Sequence, residues 1–204
     1  MKKMLRSAVV LCALGTVGCG DDTGNGPDTT GPKYNTAEKL ATFFEGKTMV
    51  MEGDNIPSHP NGFTEDVDFG SASQCYNKVT LSVAGGNYTA RSIKGTLRDT
   101  ATAGVKDCDH STSAGEAGNF TSTAVLIENV AANGSCFDVT YTYPGFKQEG
   151  RGVVSQDGKT VKLELFFEGQ ATGHRCAAGA VGAQTVTLNK NPFTGNAVQT
   201  YVVQ

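Results

Sequence analysis

The chain has 204 residues, with 17 Lys+Arg against 20 Asp+Glu, 26 Gly, six Cys and no Trp. Setting aside Lys2, Lys3 and Arg6 of the N-terminal segment leaves 14 basic against 20 acidic residues, a balance of −6. That mildly acidic surface speaks against a nucleic-acid partner and against a basic membrane-hugging face, and no apolar run approaches the ~20 residues of a spanning helix.

Residues 1–18 have a basic start, a short apolar core from Ala8 to Leu14, and small residues that lead to Cys19. These are the three regions of a secretory signal. Val17-Gly18-Cys19, followed by Gly20-Asp21-Asp22, resembles the lipobox of bacterial lipoproteins, with Thr16 standing where that family carries Leu. The resemblance covers residues 1–22. It implies diacylglycerol on the Cys19 thiol, cleavage before Cys19 and acylation of the new amine. Gly20, rather than Asp, after that cysteine implies sorting to the outer membrane. One acyl chain holds a protein marginally and several hold it firmly, so Cys19 is the expected membrane anchor. Either face of the outer membrane satisfies this reading.

Residues 19–33 are rich in Gly, Asp and Thr and have no large apolar side chain. They are expected to form a flexible tether spanning about 20 Å. A single domain is expected over residues 34–204. Asn35 as cap, Glu38 three residues on and Leu40, Phe43 and Phe44 on one face predict a short helix that Gly46 ends. A strand is expected from Thr48 to Glu52. Glu52 to Gly70, with Pro57, His59, Pro60 and Gly62, reads as a long loop.

From Cys75 onward the pattern is a series of hairpins. Val79, Leu81 and Val83 alternate with polar residues, Gly85-Gly86 turns the chain, and a strand returns over Tyr88 to Leu97. A loop over Asp99 to Gly118 precedes a strand from Phe120 to Val130. Phe137, Val139, Tyr141 and Tyr143 alternate between turns at Asn133-Gly134 and Pro144-Gly145. Lys147 to Ser155 leads to Asp157-Gly158, and Val161, Leu163, Leu165 and Phe167 alternate after it. A Gly/Ala-rich stretch, a strand at Val186 and Leu188, and a last strand over Gln199 to Val203 close the chain. The fold class is therefore all-β, either an antiparallel up-and-down barrel or a two-sheet sandwich, with one short N-terminal helix. A helix, then Gly46-Lys47-Thr48 opening a strand, then seven or more strands resembles a lipocalin-type barrel, although the Trp which that family carries near this Gly is absent.

Cys12 lies in the signal and Cys19 is the lipid site, which leaves Cys75, Cys108, Cys136 and Cys176. An even number in an exported chain reads as two disulfides. Three pairings are possible. Cys75–Cys108 with Cys136–Cys176 would tie neighbouring hairpins, each bridge worth about 3–4 kcal/mol in the chain-entropy account. Cys108-x-His110 and His174-x-Cys176 carry the residue types of a structural zinc site, but their spacing is tight and an oxidising compartment favours disulfides. Asp66-x-Asp68 lacks the Gly and Glu positions of a calcium loop.

No nucleophile motif stands out, and Gly158-Lys159-Thr160 fits a hairpin turn better than a phosphate loop. Glu164 with Glu168, Asp138 with Glu149, and Lys162 alternate with apolar residues and are expected to face water. No catalytic, cofactor or metal residue is assigned. The expected function is a non-catalytic ligand-binding domain on an outer-membrane lipoprotein, with a small apolar ligand or an envelope protein as partner. The alternatives are an interaction lipoprotein with a filled core and an enzyme with a loop-built site.

Overall fold

Alternating apolar side chains at Val79-Leu81-Val83, Phe137-Val139-Tyr141-Tyr143 and Val161-Leu163-Leu165 are buried along one face of a curled antiparallel sheet. The computed structural model describes residues 31–57, 75–193 and 195–204. The signal and lipobox with Cys19, the loop residues His59, Pro60 and Gly62, and the Asp66-x-Asp68 pair lie outside the described residues. Residues Gly31–Gln204 form one compact unit.

The elements are α1 (Ala37–Phe44), β1 (Thr48–Glu52), β2 (Tyr76–Ala84), β3 (Asn87–Lys94), β4 (Thr96–Asp99), β5 (Lys106–Asp109), β6 (Glu116–Thr121), β7 (Ala124–Glu128), β8 (Phe137–Tyr143), β9 (Phe146–Val154), β10 (Thr160–Phe167), β11 (Ala171–Thr172), β12 (Thr187–Leu188), β13 (Asn191–Pro192) and β14 (Val198–Val203). Nine of these strands make the main sheet, in the order β6-β3-β2-β1-β14-β10-β9-β8-β7. The first strand of the chain pairs with the last, Met49 opposite Val203.

The two edge strands, β6 and β7, are consecutive in the chain and separated only by Ser122 and Thr123. Ser122 N–H donates to the Tyr88 carbonyl at 2.9 Å, and Thr123 N–H donates to the Thr142 carbonyl at 2.7 Å. One run of chain is thus bonded to β3 along its first half and to β8 along its second. Of the two architectures compatible with the sequence, the curled sheet is the barrel-like one, a half-barrel whose edges are joined by this run. The expected strand over Phe120 to Val130 instead starts at Glu116 and breaks at Ser122-Thr123, where the chain changes partners.

One end of the half-barrel carries the tight turns at 85–86 and 155–159. Gly85 and Gly86 both have positive φ, +58° and +75°, which a two-residue hairpin of this hand requires. Helix α1 caps this end. Its N-cap is Thr36, whose hydroxyl accepts from Lys39 N–H at 3.2 Å. The expected cap, Asn35, instead donates to the Ala132 carbonyl and accepts from Lys39 Nζ. Glu45 accepts from the backbone N–H groups of Gly85 and Gly86 at 2.8 and 3.0 Å, fixing the helix end to the hairpin. Leu40 and Phe44 are buried, and Phe44 meets Tyr88 and Phe137 edge-on. Gly46 (φ +73°) ends the helix as expected.

Among the described residues, long connections leave the opposite end over residues 95–115 and 168–193. The expected strand from Tyr88 to Leu97 stops at Lys94. At Gly95 a Cβ would sit 2.8 Å from Cys75 Sγ and 2.7 Å from the Asp109 carbonyl, so the chain turns off the sheet into the β4–β5 hairpin. The second connection carries β11–β13 and a 3-10 turn, Cys176–Ala178, back across the outer face of β8–β10. Disulfides join Cys75 to Cys108 and Cys136 to Cys176. No helix among the described residues is long and apolar enough to cross a membrane.

Candidate functional site: an aromatic cavity inside the half-barrel

Strand alternation aims Val79 and Leu81 of β2, Ala90 and Ser92 of β3, Tyr141 and Tyr143 of β8, Gln148 of β9, Leu165 of β10 and Tyr201 of β14 into the half-barrel. Towards the helix end the interior is filled, because Gly152 allows the Phe137 ring and Leu163 to close over it; a Cβ there would lie 2.5 Å from the ring. Towards the other end the packing opens into a cavity of about 330 Å³. That volume falls within the usual range for small-molecule sites.

The rim is aromatic. Tyr143 and Phe146 stack at 4.9 Å, and Phe120 and Phe167 approach Phe146 edge-on at 5.4 and 5.8 Å. Phe120 remains 45% exposed although its ring lies across Gly118, where a Cβ would be 2.3 Å away. Deeper in, Tyr88 and Tyr141 are 5.1 Å apart, and the Tyr201 hydroxyl donates to Gln199 Oε1 at 2.5 Å.

The electrostatics are uniform. No Asp, Glu, Lys, Arg or His is among the described residues lining the cavity. Burial pushes the Tyr143 phenol up to about 12. Burial likewise holds Tyr141 and Tyr201 well above the ordinary phenol value, with neighbouring phenols adding to the shift. These three phenols are therefore neutral across the physiological range. The Gln148 amide and the Tyr141 and Tyr143 hydroxyls line the space and have no hydrogen-bond partner among the described residues. The chemistry available is ring faces, ring edges and uncharged hydrogen-bonding groups.

The residues singled out from sequence lie elsewhere. The four cysteines form two bridges, one from the residue before β2 to β5 (Cys75–Cys108) and one from the residue before β8 to the 3-10 turn of the outer connection (Cys136–Cys176). His110 Nδ1 lies 2.7 Å from the Tyr76 carbonyl and 3.3 Å from Cys108 Sγ. Cys75, Cys108 and His110 converge, but both sulfurs are committed to the bridge. His174 and Cys176 belong to the outer face, so the two Cys/His pairs do not form one ligand set.

The expectation that Asp138, Glu149 and Glu164 face water is corrected. Asp138 is 1% and Glu164 3% exposed, and Glu149 is half-buried. The 168–193 connection covers them, and strand alternation carries no trace of such a cover. Lys162 and Glu168 are exposed, as expected.

Sequence reasoning missed Gln148 and Phe120. The available signal was Gln148 itself, a polar residue at an inward position of β9 opposite Tyr141. Comparison with known proteins found no matching family model, no matching curated protein and no matching solved structure, so the cavity has to be interpreted from its own geometry.

Proposed function

We propose that this chain is a lipid-anchored envelope protein whose half-barrel holds a small, mainly apolar ligand without transforming it. The observation that carries this reading is the 330 Å³ cavity, walled by Phe and Tyr and lined by no Asp, Glu, Lys, Arg or His among the described residues. Rings supply large contact area at low entropic cost. The sequence supports the anchor through the lipobox-like Val17-Gly18-Cys19 and the polar tether after it.

Titration of the full chain in phospholipid nanodiscs with N-phenyl-1-naphthylamine, blanked against empty nanodiscs, tests the binding reading. A saturable fluorescence rise at one probe per chain is expected. Ala90→Phe, which fills the cavity, should abolish it. No saturable signal would leave the interaction-module reading in its place. Labelled palmitate should enter the wild-type chain and not the Cys19→Ala variant.

A further inference from the structure

We infer that the cavity selects an uncharged aromatic ligand bearing one hydrogen-bonding group, and that Gln148 is the residue that recognises that group. This rests on the ligand-binding reading above and narrows it.

The first observation is the absence of charge. An ion moved from water into a cavity without a counter-charge loses hydration that nothing replaces. The described lining offers Val79, Leu81, Leu165 and aromatic rings, with neutral hydroxyls and amides between them. Carboxylates, phosphates and ammonium groups therefore find no charged partner among the described lining residues.

The second observation is Gln148. Buried polar groups are nearly always hydrogen-bonded. Gln148 is only 9% exposed, and its side-chain amide opens onto the cavity with no protein partner among the described residues. The register explains its position. Gln148 pairs with Tyr141 across β8–β9, so both side chains point inward. The nearest inward neighbours on its own strand are Phe146 at the rim and Gly150. An amide both donates and accepts, and here its complement is left to the occupant. By contrast, Gln199 on the opposite wall already accepts from Tyr201.

The third observation is the ring geometry. Tyr143 and Phe146 are stacked at an interplanar angle of 23°, while Phe120 stands at 89° to Phe146. The rim thus offers both a face and an edge. A planar ligand is favoured by that pair, because aromatic rings prefer offset-stacked and edge-to-face neighbours. A flexible acyl chain would gain contact area alone.

Three matched probes separate the elements of this proposal: naphthalene, 2-naphthol and 2-naphthoate, titrated at neutral pH into the full chain in nanodiscs against empty nanodiscs. The naphthol should bind about tenfold more tightly than naphthalene, the size of one good buried hydrogen bond, and the naphthoate should not bind measurably. Gln148→Leu should bring the ratio of naphthol to naphthalene affinity down from about ten to about one. Gln148→Met, similar in length, provides the same readout if the branched side chain disturbs the sheet. Naphthoate binding as tightly as naphthol, or a preference that survives loss of Gln148, would overturn the inference while leaving the binding reading intact. Failure of all three probes would overturn both.

Discussion

Strands β8, β9 and β10 are buried on both faces, and the two faces are built in opposite ways. The inner face has Tyr141, Tyr143, Gln148 and Leu165 around a void and carries no charge. The outer face has Asp138, Glu149, Arg151 and Glu164 beneath the 168–193 connection, and each is paired. Arg151, fully buried, donates from Nε to Glu164 at 2.6 Å and from its terminal nitrogens to the Gly179 carbonyl, the Ala183 carbonyl and Thr185 Oγ1. Arg175 meets Glu149 at 2.6 Å, and Asp138 accepts from Cys176 N–H and Asn129. On the face that packs against its own chain the charged groups are paired internally, although both ring nitrogens of His174 there have no hydrogen-bond partner. A face that leaves hydrogen-bonding groups open beside a cavity is prepared for something from outside.

The largest test of this contrast is Arg151→Ala. It leaves the Glu164 carboxylate buried without its counter-charge, and such breakage costs on the order of 3–5 kcal/mol. Urea unfolding should register this as a lower midpoint with an unchanged slope. Pairing it with Glu164→Leu removes the orphaned charge but not the orphaned oxygens of Gly179, Ala183 and Thr185. The double variant should therefore recover only part of the loss. Full recovery would mean that Arg151 serves Glu164 alone and does not hold the connection down.

The bridge across this face ranks next. Cys136 and Cys176 are 40 residues apart, a loop whose closure is worth about 3–4 kcal/mol in the chain-entropy account. Cys136→Ser with Cys176→Ser should lower stability by about that amount, and hydrogen exchange should rise first in residues 176–185. Uniform exchange throughout the chain would show instead that the connection stays docked without its staple.

Most of the half-barrel was legible because it rests on local rules. Period-two alternation placed Phe137, Val139, Tyr141 and Tyr143 inward, and paired glycines placed the turn at 85–86. Strand β1 runs over Thr48–Glu52, as its residues predict. The illegible part depends on contacts distant in sequence. Nothing local to Arg151 announces that carbonyls 28 and 32 residues away will converge on it. The cavity is harder still to foresee, since an inward Gln beside inward tyrosines reads equally as packing. Only the curvature of the sheet separates Phe137, whose ring fills space over Gly152, from Tyr143, which borders open space.

A smaller effect is expected from His174. It lies on the outer face against Phe166, with Glu149, Arg175, Asp138 and Arg151 around it. Glu149 Oε1 is 3.4 Å from its Nε2, yet neither ring nitrogen has a hydrogen bond of good geometry. Desolvation by burial is the main reason its pKa is lowered, opposed by Glu149 and reinforced by Arg175. The unfolded imidazole protonates near its ordinary value of about 6.5, and the folded one at lower pH. Between those values the unfolded state holds the extra proton, so stability is full above about 6.5 and falls as pH drops through the folded pKa. Urea midpoints at pH 7.5, 6.5 and 5.5 should decline for the wild type and stay level over that window for His174→Gln. Parallel declines would place the proton uptake elsewhere. Asp109 and Asp157, whose pKa values hydrogen bonds from Ser111 and Ser155 lower, act only in the acidic range below that window.

The smallest expected stability effect is on the inner face, at Tyr141→Phe. Tyr141 is almost as buried as Arg151, at 3% exposure, so burial alone would predict a substantial loss. Its hydroxyl, however, has no partner among the described residues, and deleting an unpaired polar atom from a protein interior is close to neutral. Urea unfolding should place the variant within about 0.5 kcal/mol of wild type. A loss several times larger would mean that the hydroxyl is held by the protein, as the charged groups of the outer face are. A stability change near zero sharpens the contrast: these strands are stabilised by the polar groups of their outer face, while the inner face keeps polar groups that the fold does not need.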